Sequence, residues 1–288
     1  MRLLAISDLH LDYRINREAV DTFTEHPDDW LIIGGDIFGG FDKAEDCFTA
    51  LQRKFGRVIW VPGNHELWVM GTDKAMGIDD SPAKYGKVVE LCRRLGVVTP
   101  EDPFVRWEGK GGPHYIVPLF LLYDYSFRPD EVSEEGAIAW AREEGLRCTD
   151  EDLIHPGSFG TKQAWCQARL EQTRQRLDEL DQDIPWVMIN HFPLRYDLVR
   201  LHRIPRFSIW CGTTLTEDWH DRYPADVVVS GHLHMRATDY RGGVRFEEVS
   251  LGYPRHWQQE KGIDHYLREI LPGPAPWPAP DAGPFWRF

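Results

Sequence analysis

The chain has 288 residues, 42% of them hydrophobic, enough to bury a large core, and carries a net charge of −13 from 33 basic and 46 acidic residues. That acidity disfavours unspecific binding to nucleic acid or to an anionic membrane, which both draw on Lys/Arg excess. Five scattered cysteines without CxxC spacing exclude a disulfide framework or a zinc ribbon and fit reduced thiols in a cytoplasm.

The N-terminal run Leu3 to Ser7 is apolar but broken by Asp8, so it reads as a strand and not as a signal peptide. With no stretch near the ~20 apolar residues of a membrane span, a soluble, cytoplasmic protein without a membrane partner is expected. Trp30 to Gly34 and Val58 to Val61 are further short apolar runs of the kind buried on both faces. Between the three, Arg17 to His26 and Lys43 to Phe55 show helical spacing. The pattern predicts β-α-β-α-β with a parallel sheet.

Pro82 to Gly96 then reads as a helix, and Phe104 to Trp107 and Tyr115 to Phe120 as strands. From Asp124 to about Gly160 periodicity fails among acidic residues, Gly and Pro, which marks a rim insertion or lid. Thr161 to Leu180 is a helix, because Cys166, Leu170, Thr173, Leu177 and Leu180 recur at steps of four and three. Strands return at Trp186 to Ile189 and Ala225 to Val229. Met235 to Tyr240 and Val244 to Val249 flank Gly242-Gly243 as a hairpin, so the sheet should finish antiparallel. One domain over residues 1–271 is expected. A proline- and aromatic-rich tail follows over 272–288, extended and outside the core, whose aromatics bind either their own domain or a neighbouring subunit in a homo-oligomer.

Five clusters of metal-binding side chains punctuate this order: Asp8-Leu9-His10, Gly35-Asp36, Gly63-Asn64-His65-Glu66, His191, and Gly231-His232-Leu233-His234. Asp8, Asp36 and Asn64 are each 28 residues from the next, one βα unit apart. All three therefore emerge at the carboxyl edge of the sheet, where open α/β folds bind ligands. Taken singly, Asp8-x-His10 also reads as a helix cap beside a surface histidine, and Gly35-Asp36 as a capping turn. Gly63-Asn64-His65-Glu66 is more specific, since Asn64 offers a carbonyl oxygen without adding charge. His232 and His234, one residue apart after an apolar strand, suit a metal better than a core.

In order and content these clusters resemble the calcineurin-like metallophosphoesterase superfamily, whose pattern runs D-x-H, GD, GNH followed by D or E, a lone H, and GHxH. The match spans residues 8 to 234. The resemblance implies a four-layer αββα sandwich, two mixed β-sheets flanked by helices. It implies two central metal ions, manganese or iron foremost and zinc or cobalt also suitable. One metal would take Asp8, His10, Asp36 and His234; the other would take Asp36, Asn64, His191 and His232, with Asp36 as the bridge.

Two divalent cations, two carboxylates and one bridging hydroxide leave a net charge of about +1, which attracts phosphate to an acidic protein. Such a centre activates water for in-line attack on a phosphate ester. Asn64 and His65 would be catalytic, His65 stabilising charge or protonating the leaving oxygen. Glu66 either orients His65 or forms a salt bridge. Arg195 and Arg200 are candidates for a substrate's second charge, whereas His26, His114, His155, His202, His220, His256 and His265 read as surface or packing residues.

Ile37-Phe38 after Gly35-Asp36 departs from the Asp-Arg of Ser/Thr protein phosphatases and disfavours that activity. The expected substrate is a small-molecule phosphomonoester or phosphodiester. A nuclease or cyclic-nucleotide phosphodiesterase is an alternative, as is a non-catalytic scaffold on the same fold.

Overall fold

The computed structural model describes residues 1–274 and 281–288. Among these residues, eleven strands run in chain order: β1 (Leu3–Ile6), β2 (His26–Ile33), β3 (Phe55–Trp60), β4 (Val105–Trp107), β5 (His114–Pro118), β6 (Trp186–Ile189), β7 (Ala225–Ser230), β8 (Ala237–Arg241), β9 (Val244–Glu248), β10 (Arg268–Leu271) and β11 (Phe285–Trp286). They form a four-stranded sheet, β10-β1-β2-β3, and a seven-stranded sheet, β11-β8-β9-β7-β6-β5-β4. Both are mixed: β1, β2 and β3 run parallel with β10 antiparallel, and β5, β6, β7 and β9 run parallel with antiparallel edges.

The period-2 alternation of side chains turns each buried strand into two core surfaces. Leu3, Ala5, Ile32, Ile59, Val187, Ile189, Val227 and Val229 meet between the sheets in one apolar cluster. Their neighbours Leu4, Ile6, Leu31, Ile33, Trp186, Met188 and Val228 face outward into a second cluster beneath the helices. The outcome is four layers, αββα. In the helix Lys162–Asp178, Cys166, Leu170, Thr173 and Leu177 are buried as the periodicity required.

Some predicted boundaries shift. The first helix is Arg14–Asp21, because Thr22 folds its hydroxyl back onto the Ala19 carbonyl and the chain turns into β2 at His26. The second is Ala44–Gln52, and Phe55 already pairs with His26. The hairpin turn forms as expected: Gly242 and Gly243 sit at φ 56° and 86°, a pair of left-handed conformations that glycine adopts without steric cost.

The stretch 124–160 contains helices Ala137–Glu143 and Asp150–Leu153, and Tyr125, Phe127, Ala141 and Ile154 are buried in it. It is packed against the body. Of the tail, Phe285–Trp286 extends the larger sheet antiparallel to β8, and the Arg287 guanidinium pairs with the buried Glu247 carboxylate at 2.8 Å. This end binds its own domain; Trp277 lies outside the described residues. No helix among the described residues is long and apolar enough to cross a membrane.

Candidate metal centre

The carboxyl ends of the two sheets meet, and each cluster predicted from the sequence arrives there from a strand end. Asp8 and His10 follow β1, Asp36 follows β2, Asn64 and His65 follow β3, His191 follows β6, and His232 and His234 follow β7. Five of these residues take left-handed backbone conformations: Asp8 (φ 56°), His10 (44°), Asp36 (55°), His232 (70°) and His234 (54°). Such conformations cost roughly 1–3 kcal/mol each in non-glycine residues and cluster at functional sites. Backbone hydrogen bonds from Asp8 N to Gly35 O (2.9 Å) and from His10 N to Asp36 O (2.9 Å) hold them in place.

The donor atoms converge into three overlapping groups, each with its ligand atoms within 4.8 Å of one another: Asp8, His10 and His234; His10, Asp36 and His65; Asp36, His191 and His232. The Asp8 Oδ1 atom lies 2.9 Å from His234 Nε2, and Asp36 Oδ1 lies 3.7 Å from His191 Nε2. The other oxygen of Asp8 is taken: Ser7 Oγ (2.6 Å), Ser250 Oγ (2.8 Å) and the His232 amide (3.0 Å) all donate to Oδ2. Support of this kind fixes a ligand's direction before any ion binds. Gly231 is required behind it, since a Cβ there would stand 2.1 Å from Ser7 Oγ and 2.4 Å from Asp8 Oδ2.

The donor set fits cations. His191 Nδ1 faces the Gly34 carbonyl at 2.8 Å, and a carbonyl only accepts, so Nδ1 carries the proton and Nε2 keeps a lone pair. That nitrogen confronts Asn64 Oδ1 at 3.2 Å, another lone-pair donor. His232 Nε2 is buried without a hydrogen-bond partner among the described residues. Burial lowers the pKa of His10 to about 3 and holds His65 and His232 well below the usual histidine range, keeping these imidazoles unprotonated. Burial, reinforced by the Asp8 and Glu66 carboxylates, pushes Asp36 well above the carboxylate range. Unprotonated imidazoles beside crowded carboxylates form a hollow that positive charge relieves.

Glu66 takes neither of its two expected roles. It accepts from the backbone amides of Gly63 (2.7 Å), Asp36 (2.9 Å), Ile37 (2.5 Å) and Phe38 (3.2 Å), tying the Asp36 loop to the Asn64 loop. Lys84, fully buried, staples the same loops from the helix Ser81–Leu95, donating to the Gly39 and Trp68 carbonyls and pairing with Asp73 at 2.9 Å.

Sequence reasoning missed several neighbours. Trp68 stacks on His65 with ring centroids 3.6 Å apart, Tyr253 lies over His10 at 4.5 Å, and His256 Nδ1 is 3.0 Å from His234 Nδ1. Asp150 reaches Asn64 from the stretch 124–160. No spacing in the sequence links these residues to the clusters. His256 thus abuts a candidate ligand instead of serving only as a surface or packing histidine.

A cavity of about 290 Å³, open to solvent, covers the hollow. Asp36, Asn64, His65, His232 and His234 line its floor, Leu201, Ile204 and Phe207 an apolar wall, and Arg147 its rim. Arg195 and Arg200 do not line it. Arg195 donates to Asp197 (2.8 Å) and the Glu217 carbonyl, and Arg200 makes a two-toothed pair with Asp239 (2.6 and 2.8 Å).

The family model described as calcineurin-like phosphoesterase matches residues 1–236. The chain belongs to the calcineurin-like phosphoesterase family. As a member it is an enzyme, a metallophosphoesterase that hydrolyses phosphoric esters, and not a bare scaffold. It is similar to the acyl-carrier-protein phosphodiesterase PptH of Mycobacterium tuberculosis, with 46% identity over 274 residues that cover 94% of this chain and 84% of that protein. The crystal structure of phosphopantetheinyl hydrolase (PptH) from the same organism superposes with a TM-score of 0.90, covering 96% of this chain and 98% of that one.

Proposed function

We propose that this metallophosphoesterase is a phosphodiesterase that removes the phosphopantetheinyl group from an acyl carrier protein. The observation that carries the proposal is the likeness to PptH, 46% identical along nearly the whole chain. The expectation of a small-molecule ester gives way here. It rested on an acidic net charge, which disfavours polyanions but does not exclude a protein whose ester hangs on a flexible arm. The scissile group is a diester joining a carrier serine to the pantetheine alcohol. An arm of that kind can lower its phosphate onto the cavity floor while the apolar wall of Leu201, Ile204 and Phe207 takes the neighbouring chain.

In this reading Asp8, His10, Asp36 and His234 would hold one cation and Asp36, Asn64, His191 and His232 the other, with manganese or iron the leading candidates. When bound, such a pair supplies a nucleophile from water at neutral pH and draws charge from the phosphoryl oxygens. Asp36, whose carboxylate belongs to two of the donor groups, would serve both cations. His65, stacked on Trp68 and with Nε2 3.7 Å from Asp36 Oδ2, presents its neutral imidazole to the departing oxygen and stabilises the charge developing there through a hydrogen bond from its N–H. Arg147, which has no ion-pair partner among the described residues, takes the place foreseen for Arg195 and Arg200 as the cation beside the substrate.

Incubating the manganese-loaded protein with holo-acyl carrier protein and weighing the carrier by mass spectrometry tests this. The expected product is the carrier with a free serine, accompanied by released phosphopantetheine. An unchanged carrier in a preparation that hydrolyses bis-p-nitrophenyl phosphate would refute the substrate while leaving the diesterase.

A further inference from the structure

We infer that Asp150 is a positioning residue of the metal centre: its carboxylate turns the Asn64 oxygen toward the metal hollow and holds Trp68 against His65. Oδ1 of Asp150 accepts from Asn64 Nδ2 at 2.9 Å and from Trp68 Nε1 at 2.7 Å, while Oδ2 accepts from the Tyr123 hydroxyl at 3.0 Å. The residue is wholly inaccessible to solvent, and no cation pairs with it among the described residues. Burying a carboxylate without a counter-charge is costly, and three donors aimed at it offset that cost only while all three stay in place.

The chemistry follows from the asymmetry of an amide. Asn64 can present either oxygen or NH₂ to the hollow, and the two orientations have nearly the same shape. A carboxylate only accepts, so Asp150 selects the orientation with Nδ2 behind and Oδ1 forward, toward His191 Nε2 at 3.2 Å. Reversed, Asn64 would aim two N–H groups at a cation. The same oxygen fixes the indole of Trp68, whose ring lies 3.6 Å from that of His65 at an interplanar angle of 30°. One side chain from the stretch 124–160 therefore steers both a candidate ligand and the imidazole proposed to stabilise the departing oxygen, 86 residues upstream of it in the case of Asn64.

This inference rests on the two-cation reading but not on the identity of the ester, so its test reads metal binding. Manganese(II) is titrated into chelator-treated wild type, Asp150→Ala and Asp150→Asn, with folding checked by near-ultraviolet circular dichroism. Asp150→Asn keeps an accepting oxygen for Asn64 and Trp68, because the Tyr123 hydroxyl can rotate to accept from the new NH₂. Wild type is expected to bind two ions and Asp150→Asn to match it within about threefold, whereas Asp150→Ala weakens one of the two sites by about 10–100-fold. Equal affinities in folded Asp150→Ala, or a loss in Asp150→Asn as large as in Asp150→Ala, would overturn the inference.

If Asp150→Ala does not fold, Asp150→Leu, similar in size and without an acceptor, replaces it. Exchange of the Asn64 side-chain amide protons in the metal-free wild type needs no variant. Protection like that of a buried backbone amide is expected, and exchange as fast as that of an exposed asparagine contradicts the assignment whatever the titration gives. Fewer than two ions on the wild type would count against the two-cation reading instead.

Discussion

The Nε2 atoms of His10 and His234, 224 residues apart in the chain, stand 3.1 Å from each other across the junction of the two sheets. One follows β1 of the smaller sheet and the other follows β7 of the larger, so the αββα layering is what brings them together. Neither sheet alone supplies all the donors of the hollow. Packing of Leu3, Ala5, Val227 and Val229 between the sheets is thereby part of the chemistry, because a shift of the layers separates the donors.

His65 is not needed to hold the cations in the proposed division of labour. Replacing it by alanine is expected to leave two manganese ions bound and to lower kcat by about 10²–10³-fold, the usual worth of one hydrogen-bond donor to a developing oxyanion. Elemental analysis and steady-state kinetics on the same preparation check both halves. A His65→Ala enzyme that loses a metal would move this residue into the ligand set, where its proximity to His10 and Asp36 already makes it a geometric candidate.

Lys84 and Asp73 form an ion pair with both side chains fully buried. Lys84→Met removes the positive partner, strands the carboxylate and frees the two loop carbonyls. A loss of about 3–5 kcal/mol is expected in denaturant unfolding of the metal-free protein. Restoring Asp73 to neutrality in the double variant Lys84→Met/Asp73→Asn should recover part of it, and an unaltered midpoint in the single variant would show the pair to be dispensable.

Glu101 links two helices, accepting from Tyr85 of Ser81–Leu95 at 2.7 Å and from Arg169 of Lys162–Asp178 at 2.6 Å. Burial pushes its pKa up, but Arg169 and the hydrogen bonds outweigh burial and hold it below the ordinary value of 4.5. A carboxylate depressed in the folded state contributes stability that is complete above the unfolded pKa and is lost as pH falls through the folded one. Unfolding of the metal-free protein followed from pH 7 downward should therefore show a loss below about pH 4.5 that is shallower in Glu101→Gln. Parallel curves for the two proteins would remove Glu101 from the acid response.

What the sequence disclosed was whatever chain order alone determines. A side chain placed directly after an apolar run lands at a strand end, so Asp8, Asp36, Asn64, His191, His232 and His234 stood out through their joint order, although Asp8 and Asp36 taken singly read equally as caps, and the β-α-β repeat put the first three at a common edge. Helix ends did not, because the bond from the Thr22 hydroxyl to the Ala19 carbonyl and the exposed start of β2 at Pro27 and Asp28 leave no apolar signature. The role of Glu66 lies in bonds to backbone amides of another loop, which no residue pattern reports. Asp150 sits in an acidic run that looks like the start of a surface helix, and only the folded chain carries it to Asn64. Arg200 looked free in the sequence because its partner, Asp239, lies on the hairpin 39 residues later.

On the proposed function, the converging donors bind two cations, and these make the protein a carrier-protein diesterase. Stepwise addition of manganese to the chelator-treated enzyme, with hydrolysis of holo-acyl carrier protein followed at each step, tests it most directly. Activity should be absent at first, rise to a plateau at two equivalents, and fail to appear at any loading in Asp36→Ala, which removes the carboxylate common to two donor groups. Turnover by the metal-free wild type, or by Asp36→Ala at the wild-type rate, would contradict it.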